Sequence, residues 1–435
     1  MPTSGPLRVL ILFGGLAAAA CAERNVHTPG PTGDTSGDTI LRFAGAPRHP
    51  GGGTLMEDLT IGLVDGPEPY VFGSVEDAAL GPGGVIYALD GQAQVVRMFD
   101  GAGRHVRDIG GPGRGPGEFR RAAMLAVAPD GTLYVEETSP GRVHVFSADG
   151  ELLDAWTYDG AIEGPIVVDT AGMVHVVLRS LARQGTDWSW LWAIDTMPRN
   201  IDVLMARTMA APHGTVRVLP DGQVLDTVPE PALPDLGGYL QHPNGRVLLG
   251  LDFLPTAWWS WSPLGHLVTG VTTSYAIDLR LPPGGGERRA GAWSPRDSVV
   301  SVRRRVDSVG LDPAEAAVVA RQWEPWMAGR RDQVWHGPSA PPRVKPAYDA
   351  VLHGQEGRMW VRVHVPSVRL PDPSAWTGEP HTSFDIFEPD GTYLGAVRGP
   401  TRIRPTSIRG DTLLAITTDE LGVDRVQRLV VRWER

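Results

Sequence analysis

Residues 110–119 read GGPGRGPGEF, and Arg120 and Arg121 follow directly. Glycine-rich loops present backbone N–H groups that can cradle a phosphate, and a guanidinium grips a carboxylate or phosphate through two parallel bonds. Arg114, Arg120 and Arg121 are therefore candidate ligand-binding residues. A phosphate loop needs strand, loop and then helix, so that a helix N-terminus faces the anion. Here HVRDI precedes the loop and MLAVAP follows it; both are strand-like, and no Gly-Lys-Ser/Thr appears. A connection between two strands explains the same composition, with glycines allowing left-handed turns and prolines stiffening the path. In that reading Phe119 plugs between the two units. The arginines hold either a ligand or the neighbouring acids Asp90 and Glu137.

Asp90 and Glu137 are themselves candidates. They stand 47 positions apart, each just after the second strand of a repeated unit. Acids repeated around one mouth suit Ca²⁺, which takes about six to eight oxygens. Among later units only Asp252 and Asp419 offer a similar acid, and an acid bracing its own loop is the competing reading. The 12 histidines contain no H-x-H or H-x-x-x-H pair. A zinc site would have to be assembled across units, from His213, His242 and His353. There is no G-x-S-x-G elbow and no cysteine placed as a nucleophile, so no catalytic residue is assigned and no metal is identified. Tryptophans cluster at 188, 190 and 192, at 258, 259 and 261, and at 323, 326 and 335. They form internal packing or, where exposed, a platform for a partner or a sugar.

The elements that must position these groups come from a repeat. ALGPGGVIYALDGQAQVVRMFDGAGRHVRDIG begins at Ala79, and AVAPDGTLYVEETSPGRVHVFSADGELLDAW begins at Ala126. The offset of 47 holds without a gap, placing Tyr87 on Tyr134 and Phe99 on Phe146. Period-2 alternation on each side of Asp-Gly turns gives about four antiparallel strands per unit, the pattern of a propeller blade. Weaker copies begin at Asp169, His242, Glu356 and Arg409. The segment LTIGLVDG (59–66) can supply the outer strand that the last unit lacks. The expected fold is all-β, a six-bladed β-propeller with a helical insertion before the fifth blade. Residues 206–238 read as an extra hairpin between the third and fourth units. Residues 276–348 read as a mostly helical insertion. Ser294-Pro295 and Asp312-Pro313 start its two helices, Glu315 completes a capping box, and Gly310 ends the first helix.

GRGPGEF, the strand with P-D-G, Y-V, R-V-x-V-F and x-D-G together resemble the NHL-type six-bladed β-propellers. The chain also resembles exported bacterial propeller lipoproteins that carry a helical insertion before the fifth blade. The resemblance is strongest over residues 79–157. It implies a fold, because propellers host enzymes, binding modules and scaffolds alike.

Composition supplies the address. With 50 acidic and 40 basic residues, a net charge of −10 and a pI near 5.6, no nucleic-acid partner is expected. The N-terminus MPTSGPLRVLILFGGLAAAAC pairs Arg8 with an apolar run at 9–20 that is too short to span a bilayer. It resembles a bacterial lipoprotein signal ending at Cys21, the only cysteine, although Leu16 lies two positions upstream of the usual lipobox leucine. An ordinary secretory signal ending in A-x-A is the alternative, and both export the chain. Residues 1–21 are then the signal with Cys21 as lipidation site, 22–53 a flexible tether, and 54–435 the propeller. The expectation is a monomeric protein of the cell envelope, lipid-anchored in the outer membrane or periplasm. It binds a small ligand or an envelope protein through its loop face, without chemistry or cofactor. The alternative is a metal-dependent lactonase or lyase with Ca²⁺ or Zn²⁺ at the channel mouth.

Overall fold

The computed structural model describes residues 39–138, 141–157, 166–178, 214–219, 222–242, 245–248, 251–280, 299–328, 334–368 and 379–434. Two strands, β1 (Thr39–Phe43) and β2 (Gly53–Ile61), precede the repeat and join sheets formed much later in the chain. The first repeated unit is an antiparallel sheet of β3 (Val75–Leu80), β4 (Ile86–Asp90), β5 (Val95–Phe99) and β6 (His105–Ile109), in sequential order. The second, one repeat later, is β7 (Ala122–Val127), β8 (Leu133–Thr138), β9 (Gly141–Phe146) and β10 (Leu152–Thr157). IYALD of β4 and VVRMF of β5 are buried throughout, as a sheet packed on both faces requires. The turns use the Asp-Gly chemistry read in the sequence. Asp130 accepts the Thr132 N–H at 2.9 Å, and Gly131 adopts φ +94°.

The third sheet is β11 (Val167–Val168), β12 (Val174–Leu178), β13 (Gly214–Val218) and β14 (Val224–Pro229). The hairpin inside 206–238 is therefore not an extra element. Its two strands are the outer half of this sheet, because VHVVL pairs directly with GTVRV. WLWAIDTMPRNIDVL, expected to close this unit, lies outside the described residues. The real extra hairpin is the next one, β15 (Tyr239–His242) and β16 (Gly245–Leu248), expected to open the fourth unit. The fourth four-stranded stretch is instead β17 (Ala257–Trp261), β18 (Leu267–Val271), β19 (Ala276–Arg280) and β20 (Val299–Arg303).

The insertion also departs from expectation. Where a first helix was expected from Ser294-Pro295, the described residues 299–303 are strand β20, held between β19 and β1. VVSVR is rich in β-branched valine and mostly buried, with strand partners on both sides; Ser294-Pro295, the expected start of that helix, lies outside the described residues. The second helix forms as read. It is α1 (Pro313–Met327), with Asp312 accepting the Ala314 and Glu315 N–H groups at 2.8 and 2.9 Å. Next to it β21 (Val334–His336) pairs with β15. No described helix is long and apolar enough to cross a membrane.

The fifth stretch is β22 (Ala350–His353), β23 (Met359–Val363), β24 (Thr382–Phe387) and β25 (Tyr393–Gly399). The last is β26 (Arg404–Arg409), β27 (Thr412–Thr418) and β28 (Asp424–Trp433), completed by β2, which runs antiparallel to β28 from Gly53↔Trp433 to Ile61↔Val426. The N-terminal strand thus supplies the outer strand that 59–66 was expected to supply. The proposed tether is also tied down in part. β1 lies parallel to β20, and the Arg48 and His49 N–H groups donate to the Tyr393 and Leu394 carbonyls.

The core lies between sheets. Tyr87, Leu89 and Met98 of the first pack on Phe119, Leu133 and Val135 at the second. Corresponding clusters join the second sheet to the third, the third to β17–β18, β18–β20 to β23–β25, β23–β25 to β26–β28, and β26–β28 back to β3–β5. Twisted four-stranded sheets packed face to face, the last returning to the first, make a β-propeller-like all-β fold with one described helix.

Candidate functional site

The 110–121 loop, the Asp90 turn and Glu137 meet at one end of the first two sheets. The Gln94 side-chain oxygen accepts the Ala122 N–H at 3.1 Å across that end. Phe119 is fully buried between the sheets, edge-on to Phe146 and His144 at 6.0 and 5.1 Å. The loop folds around its own anion. Glu118 Oε2 accepts the Arg114 and Gly115 N–H groups, both at 2.8 Å. Gly113 N–H donates to Phe119 O, and Phe119 N–H to Gly111 O. A Cβ on Gly113 would stand 2.0 Å from the Glu118 carboxylate, so a side chain there would displace Glu118 from the bonds it accepts. The side chains of Arg114, Arg120 and Arg121 are exposed around this loop.

Asp90 is 1% exposed. It accepts the N–H groups of Gly73, Gln92 and Ala93 at 3.0–3.1 Å, and pairs with the buried Arg97 guanidinium at 3.2 Å. Arg97 bonds Glu68 as well and lies over the Phe72 ring. Glu137, 0% exposed, accepts the Arg120 N–H at 2.7 Å, Arg142 at 2.6 Å and His144 Nε2 at 3.0 Å. Burial pushes its carboxyl upward, but His144, the Arg120 N–H and Arg142 together outweigh that and hold it down at about 2. Both acids brace their own loops. The expected arginine pairing occurs through the backbone of Arg120, while the guanidiniums come from Arg97 and Arg142. Arg97 and His144 went unnoticed in the sequence, yet they too stand 47 apart, each seven residues after its acid.

Asp419 accepts the Leu421 and Val423 N–H groups and pairs with Arg425 at 2.8 Å. At Asp252 it is the backbone that is engaged, by Gln322 and Trp323 of α1. Of the three histidines, His213 lies outside the described residues and His242 is placed only by its backbone in β15. His353 meets Ser260 of β17 at 3.1 Å, and burial followed by the charge of His266 depresses it to about 4. Cys21 and Trp188, Trp190 and Trp192 also lie outside the described residues. The other tryptophans pack inside: Trp261 donates to Thr215 at 2.7 Å, Trp258 to Tyr348 at 3.1 Å, and Trp323 to Asp252 O at 3.1 Å.

A further polar cluster secures α1. Lys345 is the only lysine among the 40 basic residues, and its ammonium is fully buried. It donates to Val365 O, Ser367 and Glu379 at 3.2, 2.8 and 2.9 Å, and stands 3.3 Å from Glu315 of the helix. Glu379 also meets His364 at 2.8 Å. Burial would raise the Glu379 carboxyl, but His364 and Lys345 hold it below its ordinary value. Glu315, expected to close a capping box, is turned to Lys345 and Ser367 instead. An ammonium suits this cage because it is a compact point charge with three donors, whereas a guanidinium is a wide planar fork. The composition carried the signal, in a single lysine against a background of arginine.

No protein-family model matches the chain, and no curated protein matches it. Solved structures do resemble it. A protein of Bacteroides fragilis shares 10% identity, covering 91% of this chain and 100% of its own, with a TM-score of 0.45. A DUF4221 member from Bacteroides vulgatus shares 10%, covering 88% and 99%, with a TM-score of 0.47. The PQQ-bound aldose sugar dehydrogenase of Streptomyces coelicolor shares 14%, covering 88% and 100%, with a TM-score of 0.38.

Proposed function

We propose that this chain is an exported, lipid-anchored NHL-type propeller of six blades that binds a ligand or envelope protein through its loop face and performs no chemistry there. The observation that carries this reading is the way the two repeated acids are used. Every oxygen of Asp90 and Glu137 accepts a hydrogen bond from the protein, from backbone N–H groups and from Arg97, Arg142 or His144. A Ca²⁺ or Zn²⁺ ligand must turn its lone pairs to the metal, and a guanidinium in that place opposes the cation. What the same end presents outward is Arg114, Arg120 and Arg121, carried on a loop stiffened by Glu118. That suits recognition of an acidic group.

Titration calorimetry with Ca²⁺ and with Zn²⁺ tests this. Stoichiometric metal binding that is lost in Asp90→Asn or Glu137→Gln would refute it in favour of a metal-dependent lactonase or lyase. The anchor is tested separately. Cys21→Ser is expected to release the protein from the membrane fraction, and unchanged fractionation would remove the lipid from the proposal.

A further inference from the structure

Away from the loops that carry Arg114, a second concave site lies between the β1–β20 edge and β24–β25. It is a cavity of about 780 Å³, within the size range of small-molecule sites. One wall is the segment from Phe43 to Gly53, which the pairing of β1 with β20 and the Arg48 and His49 backbone bonds hold in place. His49 is further fixed by stacking on Trp433 at 4.2 Å. The opposite walls bring Arg303, Arg304 and Arg305 from the end of β20, His381 and Ser383 from the start of β24, and Tyr393 and Arg398 from β25.

The arginines divide into two kinds. Arg303 is paired with Asp278 at 2.7 Å. Arg304 is paired with Asp385, which is 1% exposed and also accepts the Tyr275 and Tyr393 hydroxyls at 3.0 and 2.8 Å. Arg304 lies over the Tyr393 ring at 4.5 Å, so the floor is rigid and its charge is balanced. Arg305 is exposed and makes no hydrogen bond or ion pair to any described residue. The acid nearest Arg398 is Glu434 at 3.8 Å, with both side chains more than half exposed, a separation worth little in water. Two weakly compensated guanidiniums thus open on one cavity in a chain whose net charge is −10. At the rim Phe43 is 73% exposed.

We propose that this cavity binds a phosphate group, with Arg305 and Arg398 as its anion-holding residues and Phe43 covering the organic part of the ligand. A phosphate has two terminal oxygens in a diester headgroup and three in a monoester, directed apart in a tetrahedron. It can serve guanidiniums arriving from two walls and still accept from His381 or Ser383, whereas a planar carboxylate serves one fork at a time. The phosphate belongs either to a soluble phosphomonoester or to a lipid headgroup.

The test uses the full chain with Cys21→Ser, so that no acyl chain contributes to vesicle binding. Calorimetry with inorganic phosphate and glycerol 3-phosphate reads the soluble source. Co-sedimentation with phosphatidylglycerol vesicles, against phosphatidylcholine vesicles, reads the headgroup. Saturable binding to at least one phosphate probe is expected. It should weaken about tenfold or more in Arg305→Ala or Arg398→Ala, vanish in the double charge reversal to Glu, and remain in Arg114→Ala. Circular dichroism and melting verify that each variant is folded. No binding to any probe overturns the proposal. So does binding indifferent to the Arg305/Arg398 reversal, or tighter binding of malonate than of every phosphate. Loss in Arg114→Ala with retention in Arg305→Ala also overturns it, and moves the anion to the loop face.

Discussion

Replacing Glu137 by Gln separates an acid that braces its loop from one kept for a ligand. The side chain is fully buried and accepts from three partners at 2.6–3.0 Å. Gln keeps the volume but removes the charge, and it turns an amide N–H₂ toward donors. Breaking one side of a buried ion pair costs about 3–5 kcal/mol, and because the amide oxygen can still accept one bond the lower end applies, about 3 kcal/mol. Linkage gives the same order. The carboxyl is held at about 2 in the folded chain against 4.5 otherwise, a difference worth at most about 3 kcal/mol. A depressed carboxyl contributes its full stabilisation above its unfolded value of 4.5 and loses it as pH falls through 2. At ~2.1 cal/mol/K per residue, 435 residues give roughly 0.9 kcal/mol/K, so the melting temperature at pH 7 should fall by about 3–4 °C. The gap between wild type and variant should close as pH drops from 4.5 toward 2. Calorimetric melts across that series are the assay. A variant melting within about 1 °C of wild type at pH 7 would refute the bracing role and return Glu137 to the list of ligand candidates.

Asp77 has the opposite sign. Burial pushes its carboxyl up to about 7, against backbone bonds from Leu125 and Ala78, so the folded chain keeps a proton that the unfolded chain loses above 3.8. Stability should decline by at most about 4 kcal/mol as pH rises from 4 to 7. Asp77→Asn should flatten that slope in melts, and equal slopes would contradict it. Lys345→Met leaves Glu315 and Glu379 without their cation, so it should cost about 3 kcal/mol and speed hydrogen exchange across Pro313–Met327. Unchanged exchange there would mean that the lysine does not hold the helix.

The first two units were legible because the repeat is ungapped. Identical offsets fix the register of every strand, and the buried faces then follow. The third and fourth units were misread for one physical reason. A strand is defined by its neighbour, and the neighbours of GTVRV and VVSVR are supplied from far away, β12 on one side of a long intervening segment and β1 from the N-terminus. Ser294-Pro295 itself lies outside the described residues, but VVSVR, where the helix was expected to continue, is held as a strand by two rows of interstrand bonds. Asp312-Pro313 is the same signal with no strand competing for it, and there the helix forms. The acids at 90 and 137 were found by their repeat. Their partners Arg97 and His144 obey the same repeat but differ in residue type, so identity at the 47-residue offset does not reveal them.

The glycine-rich loop shows why residue type alone could not decide its role. N–H groups converging on an oxyanion are the same chemistry whether the anion is a ligand or a side chain three or four residues away. In GGPGRGPGEF the anion is Glu118, tied in sequence to the loop that holds it, and Phe119 beside it is locked into the core between sheets. An external phosphate would have to displace a carboxylate that is always present, which favours the internal partner. That lowers the loop itself as an anion site and leaves its arginines as outward-facing groups on a stiff support. At the end of β20 the situation is reversed. Asp278 and Asp385 neutralise Arg303 and Arg304, and among the described residues no acid pairs with Arg305. A chain with ten more acids than bases has no shortage of carboxylates. Arg305, with no acid paired to it among the described residues, and Arg398, which has only the exposed Glu434 at 3.8 Å, are therefore the better place to look for an external anion than a loop that has provided its own.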